Sequence, residues 1–347
     1  MVNKCSFLWK GVFILDATEE MIVDKPFKDY DDLIEILKSR NVIINNEEFA
    51  KQCLSDISYY SIINGCKKFY TLDNDIFVHP VNFEELYLLY MIENTLNGIL
   101  LKNILHIEKS LKSKLSYIIS KNYGGITDLE DTTNMNPNDY LCRYNYQNNR
   151  NRNNTLLDIK RSISNTRNAS INYYKTHHNH LPCWILINGI YFGQAIQLYQ
   201  ILNSEEKNYI CNELVDCNQM SLDEKKAFLT NSLDVLREYR NNLAHGHTIF
   251  SNTIRSYISF TSAKKIANNN ITRLQYNNGI CKNDTFCVVM IICTLTRGLQ
   301  KENFIQELIS FCSNMNKYTF DSKSFYDVFS FPHNIIDILK NKSITSI

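Results

Sequence analysis

The sequence predicts a predominantly α-helical protein, and three observations lead to this fold class. Only 10 of the 347 residues are Gly and 5 are Pro, so the residues that most often end or interrupt helices are scarce. Apolar residues recur at intervals of three and four over long stretches, which places them on one face of a helix. Hydrophobic residues at 44% and charged residues at 21% fit a packed globular core. We therefore expect an all-α protein with one main domain and additions.

Helices are predicted in order along the first third of the chain. Acidic residues in the first turn and apolar residues at helical spacing predict a helix over Asp29–Lys38. The same apolar repeat predicts a second helix over Glu47–Tyr60. The longest periodic segment, Phe83 to about Asn122, carries a continuous apolar stripe and predicts one long helix that ends at Gly124.

The middle of the chain contains a polar segment followed by an apolar one. Residues 125–155 are rich in Asn and weakly periodic, so we interpret them as a loop or mobile insertion. After Pro182 the sequence CWILINGIYFGQAIQLYQIL predicts a buried helix that continues to Leu202. Three further helices are predicted over Lys225–His245, Phe286–Arg297 and Glu302–Cys312. The chain then divides into an N-terminal segment (1–24), a main helical region (25–255) and a C-terminal helical extension (256–347).

Charge and cysteine content restrict the class of protein. Lys plus Arg is 37 against 36 for Asp plus Glu, so net charge gives no whole-molecule signature of nucleic-acid binding. The eleven cysteines are scattered and lack the paired spacing of a zinc site, which indicates reduced, mostly buried thiols and no metal. The apolar run Phe286–Leu295 is about half the roughly 20 residues that span a bilayer, so it is a core helix or strand. With no secretion signal predicted, we expect a cytoplasmic protein.

The sequence LREYRNNLAHGH, from Leu236 to His247, is the best candidate for a functional site. Arg240 continues the apolar stripe of its helix, and an inward charge is costly unless it is paired or lines a polar cleft. His245 precedes Gly246, which would end the helix and leave the imidazole near the negative end of the helix dipole. This location favours a protonated imidazole and suits a general acid or base. A helix C-cap is the alternative interpretation.

The spacing of Arg240 and His245 limits how one helix can use both. Five residues at about 100° each put the two side chains roughly 140° apart. Either the helix unwinds at its end, or the site is assembled from two copies that face each other across a symmetry axis. We favour the second, which predicts a homodimer or higher oligomer.

Two other groups of polar residues are weaker candidates. Glu108 and Lys112, four apart on the long helix, could orient Arg240, although a surface ion pair is the interpretation we prefer. His177, His178 and His180 could suggest a metal, but they fall in a predicted loop without suitably spaced cysteines or carboxylates. We interpret them as a polar loop or an RNA contact.

These segments resemble the Abi-D/Abi-F abortive infection proteins, which belong to the HEPN superfamily. The similar segments occur in the family's order over about Lys25 to Phe250. They are Lys25–Ile44, the aromatic Ile57–Tyr70, the long helix Phe83–Gly124, the Trp-containing Leu181–Leu202, and the RNxxAH form of the HEPN motif at Arg240–His245. The sequence departs from the family pattern at Ser61 and Lys112, where Arg is common, and in its Asn-rich insertion.

The resemblance implies a HEPN-like helical bundle in residues 25–255 and a metal-independent, toxin-like endoribonuclease whose site is formed by paired units. RNA supplies its own nucleophile in the 2′-hydroxyl. His245 would then act as general base or acid, Arg240 would bind the phosphate and Asn241 would orient the pair. The resemblance also implies a restraining partner, either a small structured RNA or a protein antitoxin.

Two other functions remain open from the sequence. The first is a non-catalytic RNA-binding module that uses the same Arg240 and His245 cleft to hold RNA without cleaving it. The second is a structural helical dimer, which predicts no RNA affinity even at low salt, where phosphate contacts are strongest.

Overall fold

The computed structural model describes residues 25–125, 127–244, 246 and 254–343. Their fold is predominantly α-helical, as the sequence predicts. The α-helices are α1 (Tyr30–Ser39), α2 (Glu47–Asp56), α3 (Phe83–Tyr123), α4 (Arg152–Ser164), α5 (Ala169–His177), α6 (Cys183–Leu186), α7 (Phe192–Ile201), α8 (Ser204–Leu214), α9 (Leu222–Ala244), α10 (Phe260–Ile266), α11 (Arg273–Asn277), α12 (Thr285–Leu295), α13 (Gly298–Met315), α14 (Phe325–Val328) and α15 (Ile335–Lys340).

Short strand pairs make up the little β-structure of the described residues. The strands are β1 (Val42–Ile43), β2 (Leu72–Asp73), β3 (Ile76–Phe77), β4 (Val81–Asn82), β5 (Thr319–Phe320) and β6 (Lys323–Ser324). β1 pairs with β4 in parallel, and β2–β3 and β5–β6 are antiparallel pairs. Asn74 and Asp75 between β2 and β3 have φ values of 47° and 70°, a backbone conformation that suits a two-residue hairpin turn.

Helix α3 is the central element of the fold. It has 41 residues and is therefore about 60 Å long. Its apolar stripe is buried from Phe83 to Ile119, and it packs against α6, α7, α8, α9, α12 and α13. The prediction of one long helix from Phe83 to about Asn122 is confirmed to within a residue, because a continuous stripe buried along its whole length specifies one helix.

The second helix is shorter than predicted. α1 agrees with its prediction, and the side chain of Asp29 caps it by accepting a hydrogen bond from the backbone N–H of Asp32. α2 ends at Asp56 rather than Tyr60, and a π-helical turn follows at Tyr60–Asn64. Ile57 adopts an extended conformation (φ −136°, ψ 123°), so the apolar repeat continues in the sequence after the helix has stopped.

The Asn-rich segment at residues 125–155 contributes to the core, which its composition does not suggest. It contains one short 3₁₀ turn, Arg143–Asn145, before α4 begins. Tyr140 and Tyr146 are buried, and their hydroxyls donate hydrogen bonds to the carbonyl oxygens of Leu181 and Tyr140. The interpretation as a loop agrees with the scarcity of helix, although the burial of Tyr140 and Tyr146 shows that this loop also packs against the rest of the protein.

A buried ion pair joins this segment to α4. Lys160 Nζ lies 2.8 Å from Asp139 Oδ2, and the two side chains are 3% and 0% exposed. Asp139 also accepts hydrogen bonds from the backbone N–H groups of Asp128 and Leu141, and Lys160 donates to the carbonyl oxygen of Asp131. Both charges are therefore compensated, which a buried pair requires.

The apolar segment after Pro182 forms two helices rather than the single one predicted. α6 passes into a 3₁₀ turn at Ile187–Gly189, and α7 starts only at Phe192. A Cβ atom at Gly189 would overlap Cδ1 of Ile171 and would lie 2.7 Å from Cδ1 of Ile163. The break therefore brings the backbone close to α4 and α5, an approach that only glycine permits.

The C-terminal helices complete the core around α3. All eleven residues of α12 are buried, and this helix packs against α3, α9, α10 and α13. The apolar run Phe286–Leu295 is thus a buried helix, one of the two forms predicted. Among the described residues, none of the helices combines the length and apolarity needed to cross a membrane.

The cysteines follow the prediction of buried thiols where the structure describes them. All ten described cysteines are free and buried. Burial raises the pKa of the Cys183, Cys293 and Cys312 thiols to about 12 in each case. These side chains pack as small apolar groups.

Candidate functional site

The site predicted from the sequence lies where the C-terminal end of α9 crosses α3. Helix α9 buries Leu229, Leu233, Leu236 and Leu243 and packs on α3 and α12. The Arg240 side chain is 33% exposed, so it lies at the edge of the α3–α9 contact. The predicted inward register is therefore correct for the stem of this side chain.

Arg240 lies beside a buried carboxylate of α3. Its Nε atom is 3.7 Å from Oε2 of Glu108, and Oε1 of Glu108 accepts a 2.7 Å hydrogen bond from Nζ of Lys112. The Glu108 and Lys112 side chains are only 10% and 14% exposed. The preferred interpretation of this pair as a surface ion pair was wrong, because the end of α9 lies against this part of α3.

We call these three residues, Glu108, Lys112 and Arg240, the α3–α9 charge cluster. The cluster carries two positive charges and one negative charge. The contact between Glu108 and Arg240 is too long for a good hydrogen bond. Arg240 Nε and Glu108 Oε2 are buried, and neither has a hydrogen-bond partner among the described residues. Buried polar groups without partners are rare and call for an explanation. The Nη edge of the guanidinium points away from this buried contact and makes only a weak hydrogen bond, to Asn241. This edge and the excess positive charge of the cluster suit the binding of an anion.

Asn241 lies next to Arg240 and is exposed. Its Oδ1 atom is 3.5 Å from Nη1 of Arg240, a weak contact that leaves the guanidinium free to bind another group. The structure thus brings together Arg240, Asn241, Glu108 and Lys112, all four of the predicted site residues that it describes.

Helix α9 begins at Leu222, three residues before the predicted start, and its last described residue is Ala244. Gly246 has a φ of +70°, and its N–H donates a 3.2 Å hydrogen bond to the carbonyl oxygen of Leu243. Left-handed glycine is a common way to end a helix. His245, the predicted acid or base, lies outside the described residues.

Glu238, two residues before Arg240, makes contacts near the site that the sequence reasoning missed. Its Oε2 atom accepts a 2.7 Å hydrogen bond from the N–H of Arg255, and its Oε1 atom a 2.6 Å bond from the hydroxyl of Ser256. Burial raises the pKa of Glu238, but the hydrogen bonds from Ser256 and Arg255 outweigh it and lower the pKa overall. Glu238 therefore fixes residues 255 and 256 to the last turns of α9. Arg255 and Ser256 are 17 and 18 residues from Glu238 in the sequence, so no local sequence pattern predicts these hydrogen bonds.

Of the three histidines of the middle region, His177 ends a helix, whereas His178 and His180 lie in the loop that follows it, where the sequence predicts all three. His177 is the last residue of α5 and His178 follows it. Their rings stack on Tyr173 and Tyr174 at centroid distances of 4.3 and 4.5 Å. Within the described ranges, no three His, Cys, Asp or Glu side chains are grouped so that they could hold a metal ion.

Comparisons with known proteins identify a family for most of the chain. A family model described as Abi-like protein matches residues 52–251, a range that contains α3, α9 and the whole α3–α9 charge cluster. Neither the curated proteins nor the solved structures gave a match.

Proposed function

The chain belongs to the Abi-like protein family, whose name suggests a role in abortive infection, and on this premise we propose that it is a metal-independent endoribonuclease of bacterial defence against phage. The observation that carries the proposal is Arg240, which is partly buried with its Nε beside Glu108, while its only hydrogen bond among the described residues is the weak one from Nη1 to Asn241. It lies five residues before His245. The protein would act on RNA in the cytoplasm.

The proposed reaction uses the 2′-hydroxyl of RNA as nucleophile. A base removes the proton of the 2′-hydroxyl as its oxygen attacks the adjacent phosphorus, and an acid protonates the departing 5′-oxygen. The products are a 2′,3′-cyclic phosphate and a 5′-hydroxyl. His245 fills the role of base or acid, because imidazole titrates near neutral pH.

Arg240 would stabilise the crowded phosphate of the transition state. Its planar fork can donate two parallel hydrogen bonds to phosphate oxygens. Asn241 would orient this pair through its side-chain oxygen, which lies 3.5 Å from Arg240 Nη1.

Glu108 and Lys112 would act as positioning residues. The Glu108 carboxylate is held by Lys112 at 2.7 Å and lies beside Arg240. An anion on one side of the guanidinium limits its rotation and leaves its other edge for the substrate. Holding charged groups in place before the reaction is a principal source of catalysis.

The complete site would need two copies of the chain. One imidazole cannot readily serve as base and acid at opposite sides of one phosphorus, so a homodimer that contributes two His245 side chains suits the reaction. A toxin-like nuclease also needs restraint, and we propose a small structured RNA or a protein antitoxin as the partner. Light scattering of the purified protein tests the dimer.

The decisive experiment is incubation of the purified protein with mixed cellular RNA and EDTA, followed by mapping of product ends. Wild type is expected to give cyclic-phosphate and 5′-hydroxyl ends. His245→Ala should abolish cleavage, and His247→Ala is the matched control. Arg240→Lys should reduce cleavage because lysine lacks the planar fork, and Arg237→Lys, one turn earlier on α9, is its control.

Each other outcome has a defined meaning. Products with 3′-hydroxyl ends, or equal loss of cleavage in His245→Ala and His247→Ala, would contradict the mechanism. Intact RNA that the wild type nevertheless retains on a filter at low salt would favour the RNA-binding module.

A further inference from the structure

A cavity of about 720 Å³ lies in the C-terminal part of the chain, outside the residues that match the family. One wall is formed by residues around α11 and the start of α12, and the other by residues of α14, α15 and the turn between them. Small-molecule sites in proteins have volumes of roughly 300 to 1,000 Å³. The size of the cavity is therefore suited to a ligand of a few dozen atoms.

The floor of the cavity is apolar and aromatic. Ile271, Phe286, Phe331 and Ile338 line it and are buried, and the ring of Tyr326 is also part of the lining. Such a floor favours a planar ligand, because aromatic rings stack on one another at little cost in conformational entropy.

Carboxamide side chains dominate the polar part of the lining. Two of the five are already engaged: Gln275 accepts a hydrogen bond from the N–H of Thr272, and Asn283 donates one to the carbonyl oxygen of Ile254. The side chains of Asn270, Asn278 and Asn334 have no hydrogen-bond partner within the described part of the chain. Each free carboxamide offers both a donor and an acceptor.

The charges of the lining disfavour a phosphate-bearing ligand. Among the described residues that line the cavity, none is Lys or Arg, whereas Asp284 and Asp327 both contribute. His333 lies 3.2 Å from Asp327, so the one basic ring is already paired with a carboxylate. Charge-assisted contacts hold phosphate groups most strongly, and within the described lining no unpaired cation is present to make them.

We propose that this cavity binds an uncharged purine base or nucleoside, with adenine as the preferred base. Carboxamides pair with adenine through one donor and one acceptor, as Asn and Gln do in nucleic-acid recognition. The aromatic floor accommodates the flat ring, and the Asp327 carboxylate, together with the absence of Lys and Arg from the described lining, selects against its phosphorylated forms. The binding does not depend on the proposed nuclease activity.

Calorimetric titration of the full-length protein with adenosine, uridine and adenosine 5′-monophosphate tests the proposal. Saturable one-to-one binding of adenosine is expected, with uridine and the monophosphate each at least about tenfold weaker. Absence of saturation with adenosine, or monophosphate binding as tight as that of adenosine, would overturn the proposal.

Substitutions of two exposed carboxamides of the lining, Asn278 and Asn334, which we call the rim amides, test whether adenosine binds in this cavity. The double substitution Asn278→Ala and Asn334→Ala should weaken adenosine binding about tenfold or more, whereas the exposed Asn94→Ala on α3 should not change it. Both rim amides are exposed and unpartnered within the described residues, so an unchanged melting temperature is expected. Unchanged adenosine affinity in the double variant would overturn the assignment. The titration contains no RNA, so its failure would leave the nuclease proposal standing.

Discussion

Replacing Lys160 by Met should strongly destabilise the protein. The substitution keeps most of the apolar stem of the side chain but removes the charge that lies 2.8 Å from Asp139. It also removes the hydrogen bond to the carbonyl oxygen of Asp131. Asp139 is fully buried, so water cannot replace the lost partner.

The magnitude follows from the cost of an uncompensated buried charge. Removing one partner of a buried ion pair costs about 3 to 5 kcal/mol. Asp139 keeps the hydrogen bonds from the N–H groups of Asp128 and Leu141, which argues for the lower half of this range. For a chain of this size, such a loss lowers the urea midpoint of unfolding by about 1 M.

Urea unfolding followed by far-ultraviolet circular dichroism measures the effect. Arg161→Met is the matched control, because Arg161 is the next residue of α4 and its contact with Asp158 at 3.6 Å is largely exposed; an exposed pair contributes about 0 to 1 kcal/mol. Adding Asp139→Asn to Lys160→Met should recover part of the loss, since no unpaired charge then remains. Equal midpoints for Lys160→Met and Arg161→Met would refute this reasoning.

Three further predictions concern other parts of the molecule. Gly98→Ala should raise the urea midpoint of unfolding, because a Cβ atom at this position meets nothing within 4 Å. Alanine in a helix is about 0.5 to 1 kcal/mol more favourable than glycine. A lower midpoint would contradict the open environment of this residue. Burial raises the pKa of Asp284 to about 7, so the folded state holds a proton that the unfolded chain has lost, and stability falls as the pH rises from about 4 through 7. Asp284→Asn should therefore melt at a higher temperature relative to wild type at pH 8 than at pH 5, and a constant difference would count against the raised pKa. If the nuclease proposal holds, Glu108→Gln should lower kcat about tenfold without raising KM. The reason is that Arg240 and Lys112 keep their charges but lose the carboxylate that positions them. A raised KM with unchanged kcat would assign Glu108 to substrate binding alone.

The sequence predicted those elements whose signal is local and continuous. Helix α3 was predicted almost to its ends because a single apolar stripe runs from Phe83 to Ile119. The end of α9 was also predicted, since Gly246 marks it. The family resemblance, the helical fold class and the register of Arg240 could all be obtained from the residues alone.

The features that were not predicted depend on contacts between distant segments. The break at Gly189 is required by the approach of Ile163 and Ile171, and nothing in the apolar run around it indicates an interruption. Tyr140 and Tyr146 are buried although their neighbours are mostly polar. Glu108 and Lys112 have the spacing of an ordinary surface pair, and only the position of α9 shows that they are covered.

The buried thiols make the protein suited to measurements of local opening. A protonated, enclosed thiol does not react with an alkylating reagent, so each cysteine is labelled only when the segment around it transiently opens. Cys183, Cys293 and Cys312 belong to α6, α12 and α13, three helices that pack on α3. Mass spectrometry of labelled peptides over time would report how often each helix leaves α3. The native cysteines can therefore report the opening of three different helices, and no engineered label is needed.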